Sequence, residues 1–374
     1  MNILHIYKDY FPVLGGIENH IRILAEAQAA LGHEVSVLVT NPGMRTVTRE
    51  VNGVRAIFAG RLATVASTPV SPALFVWAAR LAADVAHLHF PHPPGEVANL
   101  VFHPGLRTVI SYHSDVVRQA RLMRFYRPVL ARVLRQADAI LVGSPPMRQS
   151  TYLAEHQAKV RLVPYGIPVT RFQTRPSETD LARIQAKYLR GDTHATPRLI
   201  FVGRLRYYKG LDTLIRALPA IPARLIIAGS GPMADGWQAL ARATGVAERV
   251  DWLGEVPDAD LPVLYHSADL FVLPASHPSE AFGLVQVEAM AAGLACVTTE
   301  VGTGTSWVVQ DGITGRVVPP NRPAALAEAI NSLLSDPDRR SQMGRAAAER
   351  ARAEFDESIM IDRILRIYES PPSL

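Results

Sequence analysis

ILHIYKDYFPVLGGIENHIRILAEAQAALGHEVSVLVT, residues 3–40, holds one complete strand–helix–strand unit. Ile3–Tyr7 is a short apolar run that reads as a strand. The loop after it ends at Gly15-Gly16, and apolar residues then recur at helical spacing over Ile17–Leu31. Gly32 supplies the helix stop, and Glu34–Thr40 (EVSVLVT) returns as a buried strand. Two strands joined through a helix run parallel, and a parallel sheet is covered by helices on both faces.

The same punctuation continues outward. Further strands are expected at Ala86–His89, Thr108–Ser111 and Ala139–Val142. After Arg171 the pattern weakens into a polar stretch, Phe172–Pro197, with a short charged helix near Asp180–Tyr188 and then Gly191-Asp192-Thr193. That stretch reads as an interdomain connection. A second series follows at Arg198–Val202, Arg224–Ala228, Val250–Leu253, Leu270–Leu273 and Ala295–Thr298. The 374 residues exceed what one core ordinarily holds, so two Rossmann-like α/β domains in series are expected. The divisions are 1–175, 176–357 and a last helix, 358–374, packing back on the first domain.

Composition excludes several classes. With 48% hydrophobic and 20% charged residues the chain is neither disordered nor fibrous. No uninterrupted apolar run approaches the roughly 20 residues of a membrane span. The longest, around Val70–Ala86, carries Arg80 and Asp84. The first residues lack a basic flank and a long apolar core, so they read as a strand and not a signal peptide. The single Cys296 allows no internal disulfide and fits a reducing cytosol. Residues 1–175 carry 19 Lys+Arg and 10 Asp+Glu, a balance of +9; the whole chain is +5, so the remainder is −4. A basic half joined to an acidic half points to an anionic surface or ligand, lipid or nucleic acid.

Two constellations carry chemistry. In LPASHPSEAFGLVQVEAMAAG, residues 273–293, Glu280 and Glu288 flank Phe282-Gly283-Leu284. A helix beginning near Gly283 offers backbone N–H groups to an anion. A carboxylate before it and another on its second turn suit the hydroxyls of a nucleotide sugar. The spacing fits equally a surface glutamate and a helix-dipole glutamate. The strand Arg198–Val202 is followed by Gly203-Arg204 and then Lys209-Gly210. Two cations leaving one strand end can neutralise a departing diphosphate, although structural arginines and lysines are also common.

Together, Arg204-x4-Lys209 and Glu280-x7-Glu288 resemble the retaining glycosyltransferases of family 4. Gly15-Gly16-Ile-Glu, Gly32-His-Glu-Val, Tyr112-His113-Ser-Asp, Val163-Pro-Tyr-Gly166-Ile and Asp311-Gly-x-x-Gly315 extend the match from about residue 1 to about residue 350. The resemblance implies the GT-B architecture, two Rossmann-like domains facing across a cleft that holds the active site. It also implies a C-terminal helix near Ile359–Tyr368 crossing back onto the first domain. Gly15 and Gly16 would let the N-terminal loop approach the donor phosphates. Arg204 and Lys209 would hold the diphosphate, joined by backbone donors near Gly283 and Leu284. Glu280 would bind donor-sugar hydroxyls, Glu288 the ribose, and His113 would lie beside the transferring sugar. Reaction would proceed with retention by front-face attack, without a metal or other cofactor, the nucleotide diphosphate sugar being the co-substrate.

Two departures bear on the sugar. Pro168 stands where the family usually has aspartate after the tyrosine-glycine-isoleucine motif. The loop Gly302-Thr-Gly-Thr-Ser-Trp307 replaces the commoner glycine, proline and glutamate pattern. The sequence resembles bacterial mannosyltransferases of O-antigen and exopolysaccharide assembly, and Asp258 matches a position where some GDP-mannose users read guanine. The expected activity is therefore hexose transfer, with GDP-mannose the favoured donor, to a glycan or lipid-linked glycan at the inner face of the cytoplasmic membrane. A phosphorylase or sugar-nucleotide epimerase on the same fold, and a nucleic-acid-binding protein using the basic half, stand as alternatives; the second lacks a recognition motif.

Other signals are read as structural. His87, His89, His92 and His103 invite a metal, and His87 and His89 share one strand face, but no carboxylate or cysteine set accompanies them. Asp258-Ala-Asp260 is read as the cap of a helix beginning near Leu261. Gly229-Ser-Gly231-Pro lacks the third glycine of a dinucleotide fingerprint. In the segment 116–136, Arg118, Arg121, Arg124, Arg132 and Arg135 fall within a wedge of about 120°, opposite Leu122, Met123, Tyr126, Leu130 and Val133. That arrangement favours docking to anionic lipid. Pro128 is expected to kink or divide the helix.

Overall fold

The computed structural model describes residues 1–13, 15–65, 68–116, 120–190 and 196–370, without the side chains of 120–123. It divides into two compact units, Met1–Gly166 with Glu357–Leu374, and Ile167–Asp356.

The first unit is built on an eight-stranded sheet. Its order is Val160–Leu162, Ala139–Val142, Gly105–Tyr112, Ala83–Phe90, Asn2–Ile6, Glu34–Asn41, Val54–Gly60 and Val47–Val51. Every pairing is parallel except the last, which is an antiparallel edge hairpin. The helix Gly16–Ala30 forms because Ile21, Leu24 and Ala25 recur on one face; that face also buries His20 and Gln28. The returning helix Glu357–Glu369 places Met360, Ile361, Ile364 and Tyr368 in a core with Ile3, Leu24, Val85 and Val109.

The second unit has six parallel strands in the order Val250–Gly254, Arg224–Ala228, Arg198–Val202, Leu270–Leu273, Cys296–Thr299 and Gly315–Val318. Its three middle strands in that order's centre and right, Arg198–Val202, Leu270–Leu273 and Cys296–Thr299, are buried at every residue, as a sheet covered on both faces requires.

Several expectations shift. The described part of Phe172–Pro197 belongs to the second unit and is not a linker. Phe172 is buried edge-on to Tyr265, and the helix Glu178–Tyr188 is tied down by Asp260. Gly191-Asp192-Thr193 lies outside the described residues. Asp260 precedes the helix Leu261–His266, yet its carboxylate makes no cap bond; Arg183, Lys187 and Tyr188 occupy it instead and hold it down near pH 2. Pro128 sits inside the helix Ala120–Gln136 without dividing it.

Candidate functional site

In the second unit the strand Arg198–Val202 ends at Gly203, and the chain turns through Tyr207–Lys209 into the helix Leu211–Ala217. Gly210 makes this turn possible. Its φ is +65°, and a Cβ there would stand 2.0 Å from the carbonyl oxygen of Pro274. That close approach draws the loop against residues 274–280, where the Ser276 amide donates to the Tyr208 carbonyl at 2.9 Å.

The consequence is a buried ion pair. Lys209 Nζ lies 2.8 Å from Glu280 Oε2, and both side chains are about nine-tenths buried. Arg204, from the same strand end, is exposed. Glu280 is held from behind as well: Thr303 Oγ1 donates to its carbonyl at 2.6 Å, and the Gly304 amide donates to the Ala281 carbonyl at 2.9 Å. The divergent loop Gly302–Trp307 therefore supports the glutamate loop directly.

The helix Leu284–Ala291 begins as expected, with Gly283 at its N-cap in the left-handed region, φ +79°. A Cβ on Gly283 would meet the Gln286 amide at 2.7 Å. Gln286 is fully buried and donates to the carbonyls of Phe282 and Thr305, so it locks the helix start to the 302–307 loop. Glu288 follows on the second turn and accepts from Tyr265 Oη at 2.7 Å. Loss of solvation pushes its carboxyl up to about 7, against the Tyr265 hydrogen bond and the attraction of Arg171. Asp258 is exposed, adds repulsion to Glu288, and presents its backbone carbonyl to Arg171.

The second unit thus gathers Arg204, Lys209, Asp258, Glu280, Gly283, Leu284 and Glu288, while Gly15, Gly16 and His113 belong to the first. Gly15 caps the helix Gly16–Ala30 in extended conformation; a Cβ on it would meet the Glu18 carboxylate at 2.2 Å. No atom lies within 4 Å of where a Cβ on Gly16 would stand. His113 follows the strand Gly105–Tyr112 and is buried.

His113 is part of a group that the sequence reading did not assemble. His5 is the register partner of His87 on neighbouring parallel strands, and His89 lies two residues on, over the same face. Helix residue His20 packs edge-on to His113, with ring centroids 5.3 Å apart. One hydrogen-bonded chain runs from Gln28 through His5, His89 and His113 to Tyr165, in steps of 2.8, 3.1, 3.1 and 2.8 Å. His87 joins Tyr368 Oη and Ser111 Oγ at 2.5 and 2.8 Å. His92 is buried nearby against Tyr7, and His103 caps a helix C-terminus in left-handed conformation. Register across neighbouring parallel strands was the one available signal for the group.

A two-unit parallel α/β chain with a cationic loop and two glutamates around a helix start is the arrangement of the GT-B class. The description "Glycosyl transferases group 1" matches residues 191–350, and "Glycosyltransferase Family 4" matches residues 14–171. The chain belongs to this glycosyltransferase family. It is 32% identical over 373 residues to the O-antigen chain mannosyltransferase C of Escherichia coli, covering 98% of each chain. It is 34% identical over 361 residues to the D-rhamnosyltransferase WbpZ of Pseudomonas aeruginosa, covering 95% of this chain and 92% of the relative. Among solved structures, the sucrose-phosphate synthase of Thermosynechococcus elongatus superposes with a TM-score of 0.80 at 24% identity, covering 98% of each chain. Family membership sets aside the nucleic-acid-binding alternative.

Proposed function

We propose that this glycosyltransferase moves mannose from GDP-mannose to a glycan acceptor carried on lipid, with retention and without a metal. The Lys209–Glu280 ion pair carries the reading. A donor diphosphate entering beside it competes for Lys209 and frees Glu280 for the sugar hydroxyls. The C1–phosphate bond then breaks as the acceptor oxygen bonds C1 from the same face, and the acceptor proton passes to the departing phosphate oxygen. Arg204, Lys209 and the helix start at Gly283 and Leu284 stabilise that leaving group, the largest contribution available in such a site. Glu288, steadied by Tyr265, binds the ribose, and His113 borders the sugar. Gly15 and Gly16 give the donor phosphates a close backbone approach.

The manno configuration is supported by two relatives whose names are a mannosyltransferase and a D-rhamnosyltransferase, since D-rhamnose is 6-deoxy-D-mannose. Asp258, whose charge acts on Glu288, supports guanine by matching a position where some GDP-mannose users read that base. Thermal-shift titration against GDP-mannose, GDP-D-rhamnose, UDP-glucose and ADP-glucose tests the donor. The largest stabilisation is expected from GDP-mannose; a larger response to a uridine or adenine donor would overturn the assignment. Transfer is expected to persist in EDTA, and loss restored by Mn²⁺ or Mg²⁺ would refute metal independence.

Membrane docking is assigned to the helix within 116–136. Arg124, Arg132 and Arg135 are exposed there, and Phe125, 82% exposed, lies within the same wedge. Tyr126, Leu130 and Val133 pack inward. Arg118 and the Arg121 side chain lie outside the described residues. Among the described residues no helix is long and apolar enough to cross a membrane.

A further inference from the structure

Within the histidine group, partners are distributed unevenly. Gln28 Oε1 accepts from His5 Nε2, which leaves His5 Nδ1 to accept from His89 Nε2. His89 Nδ1 then accepts from His113 Nε2, and His113 Nδ1 accepts from Tyr165 Oη. Each neutral imidazole gives one proton and takes one. His87 is likewise complete, between Tyr368 and Ser111. His20 is not. Among the described residues its Nδ1 and Nε2 are both buried without a hydrogen-bond partner, in a residue 3% exposed. A buried polar group left unpaired costs about 1–3 kcal/mol.

We propose that His20, His89 and His113 form a three-imidazole site for a borderline divalent cation of the Zn²⁺, Ni²⁺ or Cu²⁺ class. One ring nitrogen from each lies within 4.8 Å of the others. His89 Nδ1 and His113 Nε2 are already 3.1 Å apart, close to the roughly 3.4 Å between two nitrogens bound tetrahedrally to one ion at about 2.0–2.1 Å. The ion replaces the proton between them. That proton moves to His113 Nδ1, which then donates to Tyr165 Oη, so the imidazoles stay neutral and none leaves the pair. His89 keeps its Nε2–H bond to His5, backed by Gln28, the outer support that orients metal-bound histidines.

The competing set, His5, His87 and His89, is equally compact. There, however, all three members have both nitrogens engaged, whereas the proposed set has two such members and His20, whose nitrogens have no hydrogen-bond partner among the described residues. Access also favours the proposed set: His89 is common to both, but His20 and His113 retain 3% and 4% exposure while His5 and His87 have none. Three nitrogen donors without a carboxylate select against Mg²⁺ and Mn²⁺. The fourth position is left to water. The site would be inhibitory, since it withdraws His113 from the donor sugar; this last clause alone rests on the proposed function.

The test begins with metal-stripped full-length protein titrated with Zn²⁺ by calorimetry and with Co²⁺ by visible absorption. One equivalent is expected to bind, with the intense bands of four-coordinate Co²⁺. His20→Ala is expected to weaken binding by roughly 100-fold or more, whereas His92→Asn, altering a buried histidine outside the set, leaves it unchanged. Circular dichroism confirms that both variants fold. The unaltered protein failing to bind one equivalent, or His20→Ala binding as tightly as the parent, would overturn the site. Separately, Zn²⁺ is expected to lower transfer reversibly in the parent and not in His20→Ala, each compared with its own zinc-free rate. Tight binding with undiminished transfer would refute the inhibitory role and the placement of His113 while leaving the site standing.

Discussion

Arg204 and Lys209 leave the same strand end, but only Lys209 is buried against a carboxylate. Replacing either with Ala is expected to lower transfer by roughly 100-fold or more, measured as kcat/KM with the donor varied. The two variants separate in stability. Lys209→Ala strands the Glu280 carboxylate and is expected to lower the thermal midpoint, because breaking a buried pair on one side leaves a lone charge. Arg204→Ala, at an exposed position, is expected to lower the midpoint less than Lys209→Ala does. Full activity in either variant would remove that residue from the leaving-group site. Glu96 gives a second residue-scale test. It is buried, accepts from the His92 amide and from Tyr126 Oη, and is pushed up to about 7 by loss of solvation. A carboxyl raised in the folded state contributes stability below its ordinary pKa near 4.5, and that contribution disappears as pH rises through about 7. Glu96→Gln is therefore expected to raise the thermal midpoint at pH 8 relative to the parent, by at most about 3 kcal/mol in stability, and to change little at pH 4.5. A midpoint difference that does not grow between those two pH values would contradict it.

The helix Ala120–Gln136 carries the element-scale prediction. Its apolar side is anchored by Leu130, Val133 and Leu134, so the exposed arginines can be altered without opening the core. Each basic residue near an anionic surface contributes about 1 kcal/mol, less as salt screens it. The parent is expected to sediment with phosphatidylglycerol vesicles, and not with neutral ones, and to release as salt rises. Changing Arg124, Arg132 and Arg135 to Glu is expected to abolish sedimentation with donor-nucleotide binding intact. Equal binding to both vesicle types would defeat the docking role. Elements also show what the sequence could tell. Central parallel strands were legible because burial on both faces makes them apolar throughout, as in Ala139–Val142 and Leu270–Leu273. The edge strand Val47–Val51 was not, because Thr48, Arg49 and Glu50 are exposed and leave no apolar run. At the candidate site, Arg204-x4-Lys209 and Glu280-x7-Glu288 were legible through their resemblance to a family pattern, since spacing alone left a structural reading open. Tyr265 and the histidine group were not, since strand register and helix packing alone bring those residues together.

On the scale of the whole chain, Tyr368 is the point where the returning helix Glu357–Glu369 enters the first unit's polar interior. Its hydroxyl donates to His87 and accepts from Gln28 at 3.4 Å. Tyr368→Phe is expected to destabilise by about 1–3 kcal/mol, read as a lower midpoint with unchanged donor binding, because His87 Nδ1 is left buried and unpaired. No shift would mean that the hydroxyl is dispensable. The same helix has a consequence for biogenesis. A ribosome makes residues 1–166, then all of the second unit, and only afterwards the segment that fills the first unit's core with Met360, Ile361, Ile364 and Tyr368. During translation the earlier half waits with an apolar gap while the later half can already close, so the order of synthesis and the order of completion are reversed.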